Sequence, residues 1–154
     1  MNFSLSVLTN TRRFFKNYLE TVSLNDLNKI PNGFNNNIIW NIGHIVATQQ
    51  LIAYKLSGLP MQVSNALVDK YKKGTKPQGN ASQADVDEIK TLLNTTLDKL
   101  IADYSNNVFT EFAEYTVSTT GNTLTNIDEA LEFITFHEGM HLGYIMAQLR
   151  VLKG

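Results

Sequence analysis

The chain has 154 residues, 43% of them hydrophobic and 18% charged, with a formal net charge of -1. This length suits one domain spanning residues 1–154 with a sizeable core, and the near-neutral balance supplies no basic field for nucleic acid. The absence of cysteine excludes disulfides, thiolate metal ligands and a cysteine nucleophile.

The first helical stretch carries Leu5, Leu8, Arg12, Phe15, Leu19 and Val22 in a 3-4 rhythm, with Arg12 its one polar member. Near its start, Thr9-Asn10-Thr11-Arg12-Arg13 interrupts any continuous apolar core of a secretion signal. No apolar run approaches the ~18 residues of a membrane span, so a cytoplasmic protein without membrane attachment is expected. Pro31 and the run Asn32-Gly33-Phe34-Asn35-Asn36-Asn37 break the chain before a second stretch, with Ile38, Ile42, Ile45, Gln49, Ile52 and Leu56, that ends near Ser57-Gly58-Leu59-Pro60. Residues 59–80, with Pro60, Gly74, Pro77 and Gly79, cannot form one helix. Within them Lys70, Lys72, Lys73 and Lys76 read as a solvated basic loop. Val86, Ile89, Leu93, Leu97, Leu100 and Tyr104 define the third stretch, and Ser82 with Asp85 supplies a capping box at its start. Residues 105–126 form a second long connection, in which a short hairpin can turn around Gly121-Asn122. The fourth stretch runs from about Ile127 to Leu152, capped by Thr125-Asn126-Ile127-Asp128, and is apolar almost all round. Four such segments predict an all-α four-helix bundle with long connections between helices 2 and 3 and between helices 3 and 4. Connections this long are often functional.

The chain has three histidines, and one metal-site hypothesis uses them all. His137 and His141, four apart in Phe136-His137-Glu138-Gly139-Met140-His141, emerge on one helix face, and His44 on a facing helix completes a set of three imidazoles. Three protein ligands with open positions is the arrangement of catalytic rather than structural zinc. The rival is three packing histidines without a metal. Gly43, Gly139 and Gly143 each cost roughly 1 kcal/mol relative to alanine inside a helix, and are read as allowing close backbone approach around the histidines or leaving room beside a bulky ligand cluster. His137-Glu138-Gly139-Met140-His141 also matches the H-E-x-x-H pattern of zinc proteases. The thirteen residues after His141 contain no His, Asp or Glu for a third ligand, which sets that reading aside.

Trp40-Asn41-Ile42-Gly43-His44-Ile45, Lys70-Tyr71-Lys72-Lys73-Gly74-Thr75-Lys76-Pro77 and Phe136-His137-Glu138-Gly139-Met140-His141-Leu142-Gly143-Tyr144 together resemble the DinB/YfiT superfamily of metal-binding bundles. The resemblance spans nearly the whole chain. It implies an up-down-down-up four-helix bundle with a divalent ion, zinc or nickel, on His44, His137 and His141, and often a homodimer. Several members read His-x-Gly-Gln after the last ligand, where this chain has His141-Leu142-Gly143-Tyr144. Relatives include S-transferases and isomerases that use low-molecular-weight thiols such as mycothiol or bacillithiol, and hydrolases.

The expected activity is therefore metal-dependent chemistry on a small molecule. Either a thiol attacks an electrophile, transferase- or isomerase-like, or water attacks, hydrolase-like. With no cysteine in the chain, a thiol must come from outside. The alternative is a non-catalytic metal-binding or ligand-sensing protein. On ideal helices Asn41, Tyr144 and Gln148 border the pocket, and Glu138 is a candidate base near the metal.

Overall fold

The computed structural model describes residues 2–154. Its elements are α1 (Phe3–Thr21), α2 (Leu24–Asn28), α3 (Ile38–Gln49) running directly into a π-helical turn (Gln50–Lys55), α4 (Asn65–Tyr71), α5 (Gln83–Ser105), strands β1 (Tyr115–Thr116) and β2 (Thr123–Leu124), and α6 (Ile127–Lys153). The protein is all-α apart from that small hairpin.

Helix starts lie where side chains satisfy free backbone amides. The Asn37 side chain accepts from Trp40 N–H at 2.9 Å, and Asn126 accepts from Glu129 N–H at 3.0 Å. At α5 the capping box is complete: Asp85 N–H donates to Ser82 Oγ at 3.2 Å, and Ser82 N–H donates to Asp85 Oδ2 at 2.7 Å. Helices α2 and α4, capped by Ser23 and Ser64, span five and seven residues. They lie inside segments read from sequence as loops, because so short a helix shows no periodicity and is held by packing.

α1 packs on α5 and α6, and α3 packs on the same two helices. Two apolar clusters fill the interior. One joins Phe15 and Leu19 of α1 to Ile38–Ala47 of α3, Val86, Ile89 and Leu93 of α5, and Ile145 of α6. The other joins Leu5 and Leu8 to Ile52, Ala53 and Tyr54, Leu97 and Leu100, and Ala130, Leu131 and Ile134. Arg12, Gln49, Thr96 and Glu138 come from the turns between these clusters, and all four are buried. The polar break in the α1 pattern is thus an internal charge. Arg12 donates from Nε and Nη2 to Glu138 Oε1 at 3.1 and 2.8 Å, and from Nη2 to Gln49 Oε1 at 3.0 Å. Its Nη1 donates to Leu93 O at 2.9 Å and to Thr96 Oγ1 at 3.0 Å.

Two local features shape one side of the fold. The second long helix widens at its end, where Leu56 N–H donates to Leu51 O at 3.3 Å and Leu59 N–H donates to Tyr54 O at 2.9 Å, both five residues back. The buried Gln50 side chain ties this turn to the following loop, accepting from Gln62 N–H at 2.7 Å and donating to Gln62 Oε1 at 2.9 Å. The hairpin between α5 and α6 pairs Tyr115 with Leu124 and Thr116 with Thr123. It reverses with Gly121 at φ 78°, a left-handed conformation that glycine adopts without strain. Among the described residues, no helix is long and apolar enough to cross a membrane.

Candidate metal centre

α6 presents His137 and His141 one turn apart, with ring centroids 4.5 Å from each other. His44 of α3 faces both, with centroid separations of 5.0 and 4.8 Å. One nitrogen from each ring lies within 4.8 Å of the other two.

Two of the rings have their tautomer defined by a partner. Tyr71 O, 2.6 Å from His44 Nδ1, can only accept, so the proton sits on Nδ1 and the Nε2 lone pair is free. Asn41 does the same for His141. Its Nδ2 donates to Asn37 O and to Asn36 Oδ1, both at 2.8 Å, which turns Oδ1 toward His141 Nδ1 at 2.7 Å. Metal-binding imidazoles normally donate their second N–H to a carbonyl of this kind.

His44 Nε2 and His137 Nε2 stand 3.2 Å apart. Two nitrogens on one tetrahedral zinc, each bonded at about 2.0–2.1 Å, lie roughly 3.3 Å from one another. The donor set therefore fits a divalent ion in type, and the His44–His137 pair fits one in spacing. No carboxylate joins the three histidines as a fourth ligand among the described residues.

Burial holds the imidazoles neutral, the state that binds metal. His137 is pushed down to about 2, first by desolvation and then by its two histidine neighbours. His141 is pushed down to about 3 by desolvation and by His44. His44 is lowered by desolvation against the raising effect of the Tyr71 carbonyl, with Lys73 lowering it further. Trp40 stacks on the His44 ring at 4.7 Å with planes 10° apart, and its Nε1–H donates to Thr75 Oγ1 at 3.2 Å.

The glycines divide sharply. A Cβ on Gly43 would stand 2.6 to 2.8 Å from the Tyr71 ring, so this glycine lets α4 close onto α3 and bring the Tyr71 carbonyl to His44. Gly139 and Gly143 face open space instead. Close backbone approach is thus required only at Gly43, since the other two lie on the uncovered side of α6.

A cavity of about 300 Å³ opens beside the histidines, with His44, His137 and Thr48 in its wall. Leu51, Ile52 and Phe133 supply apolar surface, and Tyr115, Val117, Ser118 and Thr119 of the hairpin region close one side. Lys55 and Lys73 complete the wall, so Lys73 is more than part of a solvated loop. Thr48 Oγ1 lies 3.4 Å from His44 Nε2.

None of the three residues expected at the pocket lines this cavity. Asn41 is behind His141. Gln148 is fully buried away from the cavity, donating to Asn36 O at 2.8 Å and to Asn36 Oδ1 at 3.0 Å. Tyr144 is exposed, packed edge-on against Phe34 at 5.1 Å. Glu138, the candidate base, turns inward to Arg12 rather than toward the histidines. Burial pushes its carboxyl up against the pull of Arg12, and Oε2 has no hydrogen-bond partner. Helix geometry explains this placement: residues 137 and 138 stand about 100° apart around the axis, so when one faces the α3 histidine the next points into the bundle. Of the residues missed from sequence, Tyr71 acts through a backbone carbonyl, which leaves no trace in residue type.

The DinB superfamily model matches residues 8–145. The chain belongs to the DinB superfamily. A solved structure of a conserved protein from Enterococcus faecalis has the same fold as this DinB protein, with a TM-score of 0.58 and 15% identity over 97% of this chain and 94% of the other. No curated protein matches the chain.

Proposed function

We propose that this DinB protein is a metal-dependent enzyme acting on a small molecule, with His44, His137 and His141 holding one zinc or nickel ion. The observation that carries the reading is the convergence of three imidazoles, His44 and His137 buried in the wall of a cavity and His141 half-buried beside them, with no side-chain carboxylate closing the set among the described residues. A sealed set of four ligands would instead favour a structural metal.

A bound divalent ion would supply a Lewis-acidic centre that favours the deprotonated form of a thiol or of water. The chain's own residues prepare that position. Tyr71 O and Asn41 Oδ1 hold the tautomers of His44 and His141, and the Thr48 hydroxyl offers a hydrogen bond beside His44. Leu51, Ile52, Val117 and Phe133 keep the adjoining volume apolar, which strengthens electrostatic interactions with a reacting group. The reaction we favour is attack of an external small-molecule thiol on an electrophile, and hydrolysis is the next choice.

The two apolar clusters pair the end of α1 with the starts of α3 and α5 and the end of α6, which supports an up-down-down-up bundle. A homodimer through the uncovered side of α6 is supported by exposed Phe136, Met140 and Met146, with Gly139 and Gly143 between them. A cytoplasmic location fits the cysteine-free composition.

The test is metal content by elemental mass spectrometry for wild type, His44→Ala and His137→Ala. We expect about one ion per chain in wild type and loss from both variants. Wild-type protein without metal after reconstitution would sink the reading. Metal without turnover, in screens of thiols with electrophiles and of small esters and amides, would return the site to a non-catalytic binding or sensing role.

A further inference from the structure

We propose that the cavity beside the histidines takes a small carboxylate with a short apolar body, its charge met by Lys73 and Lys55. This rests on the reading of that cavity as the substrate site.

The wall carries two cations and no Asp or Glu. The neighbouring lysines are already matched: Lys70 pairs with Asp85 at 2.9 Å and Lys72 with Asp69 at 2.7 Å. Among the described residues, neither Lys55 nor Lys73 pairs with a carboxylate. Lys73 does not wave freely in solvent either, because its Nζ donates to Ser118 Oγ on the hairpin side of the cavity. It follows Tyr71 by two residues, so the segment that orients His44 also delivers this charge. Lys55 comes from the π-helical turn, in which Leu51 and Ile52 also line the cavity.

The lining brings three chemistries into one small volume: imidazole from His44 and His137, apolar carbon from Leu51, Ile52, Val117 and Phe133, and ammonium and hydroxyl groups from Lys55, Lys73, Ser118 and Thr119. A carboxylate against the ammoniums gains charge-assisted hydrogen bonds, and its chain covers the apolar surface. A neutral molecule of the same shape gains only the second contribution. A polyanion finds no further field on a chain of net charge -1.

The experiment is a chemical-shift titration of ¹⁵N-labelled, metal-free protein with hexanoate and, separately, with 1-hexanol, on wild type, Lys73→Met, Lys73→Arg and Lys55→Met. Hexanoate should bind about tenfold more tightly than hexanol, with shifts at Thr48, Lys73 and Ser118. Lys73→Met should lose most of that preference while keeping hexanol binding, and Lys73→Arg should restore it. Lys55→Met reports independently if Lys73→Met disturbs the hairpin. Equal wild-type affinities for the two probes, shifts confined to other surfaces, or full preference retained in both methionine variants would each overturn the proposal. The titration needs no metal, so its failure is separable from failure of the metal reading, which metal content alone decides.

Discussion

Replacing Gly43 by alanine tests how the metal centre is built. The new Cβ would sit 2.6 Å from Tyr71 Cδ1, 2.7 Å from Cε1 and 2.8 Å from Cγ. Carbon atoms pack best at about 3.5–4.0 Å, so ring or backbone must move by roughly 1 Å. Tyr71 is 4% exposed and ends α4, so its ring cannot simply swing into solvent. Overpacking of this kind costs about 1–3 kcal/mol, against roughly 1 kcal/mol gained from alanine's helix propensity. The net loss is about 0–2 kcal/mol, or a fall in Tm of up to ~8 °C for a domain of this size. The larger effect falls on the site, because the shift moves the Tyr71 carbonyl that accepts from His44 at 2.6 Å. Loss of such an orienting partner typically costs 10–100-fold in metal affinity. Chelator competition on wild type, Gly43→Ala, Tyr71→Leu and the double variant reads this out, since trimming the ring should relieve the alanine. Unchanged metal affinity with an unchanged or raised Tm in Gly43→Ala would refute the argument that α4 orients His44 through this contact.

Five further outcomes are expected. Metal-free protein should lose stability as pH falls below about 6.5, where the unfolded chain's imidazoles begin to bind protons that the folded state, with His137 down to about 2 and His141 down to about 3, does not take up. The slope is at most ~1.4 kcal/mol per pH unit for each imidazole, while Glu138, with its folded pKa raised, acts in the opposite sense; urea midpoints that stay level from pH 7 to 5 would contradict it. Asn41→Ala removes the acceptor of His141 Nδ1–H and should weaken metal binding by about 10–100-fold in the same chelator competition. Arg12→Met leaves Glu138 buried without its cation and should destabilise by about 3–5 kcal/mol in denaturant titrations. Glu138→Gln should leave metal content unchanged by elemental analysis, whereas loss of the ion would show that the carboxylate serves the metal. Met140→Glu, on the uncovered side of α6, should convert a dimer to a monomer in light scattering, and a wild type already monomeric would dispose of that interface.

The sequence by itself determined the long helices and the pairing of two imidazoles on one of them. Side chains at spacings of three and four encode each long helix locally, and the Ser82–Asp85 capping box marks the start of α5, so that boundary is readable without tertiary contacts. The same local rule places His137 and His141 on one face, and Gly121-Asn122 marks the hairpin. Tertiary structure alone decided the rest. Residue spacing shows that Glu138 leaves the helix on a different side from His137, but not that Arg12, 126 positions earlier, waits there to bury it. Gly43 needs its missing Cβ because a tyrosine from α4 packs on it, whereas Gly139 and Gly143, alike in sequence, meet nothing. The cavity is assembled from the π-helical turn, the hairpin, Lys73 and one side of α6, segments that share no pattern and meet only in the folded chain. A period reports which way a side chain leaves its own helix, whereas the group that it meets depends on how distant elements pack, which no local window contains.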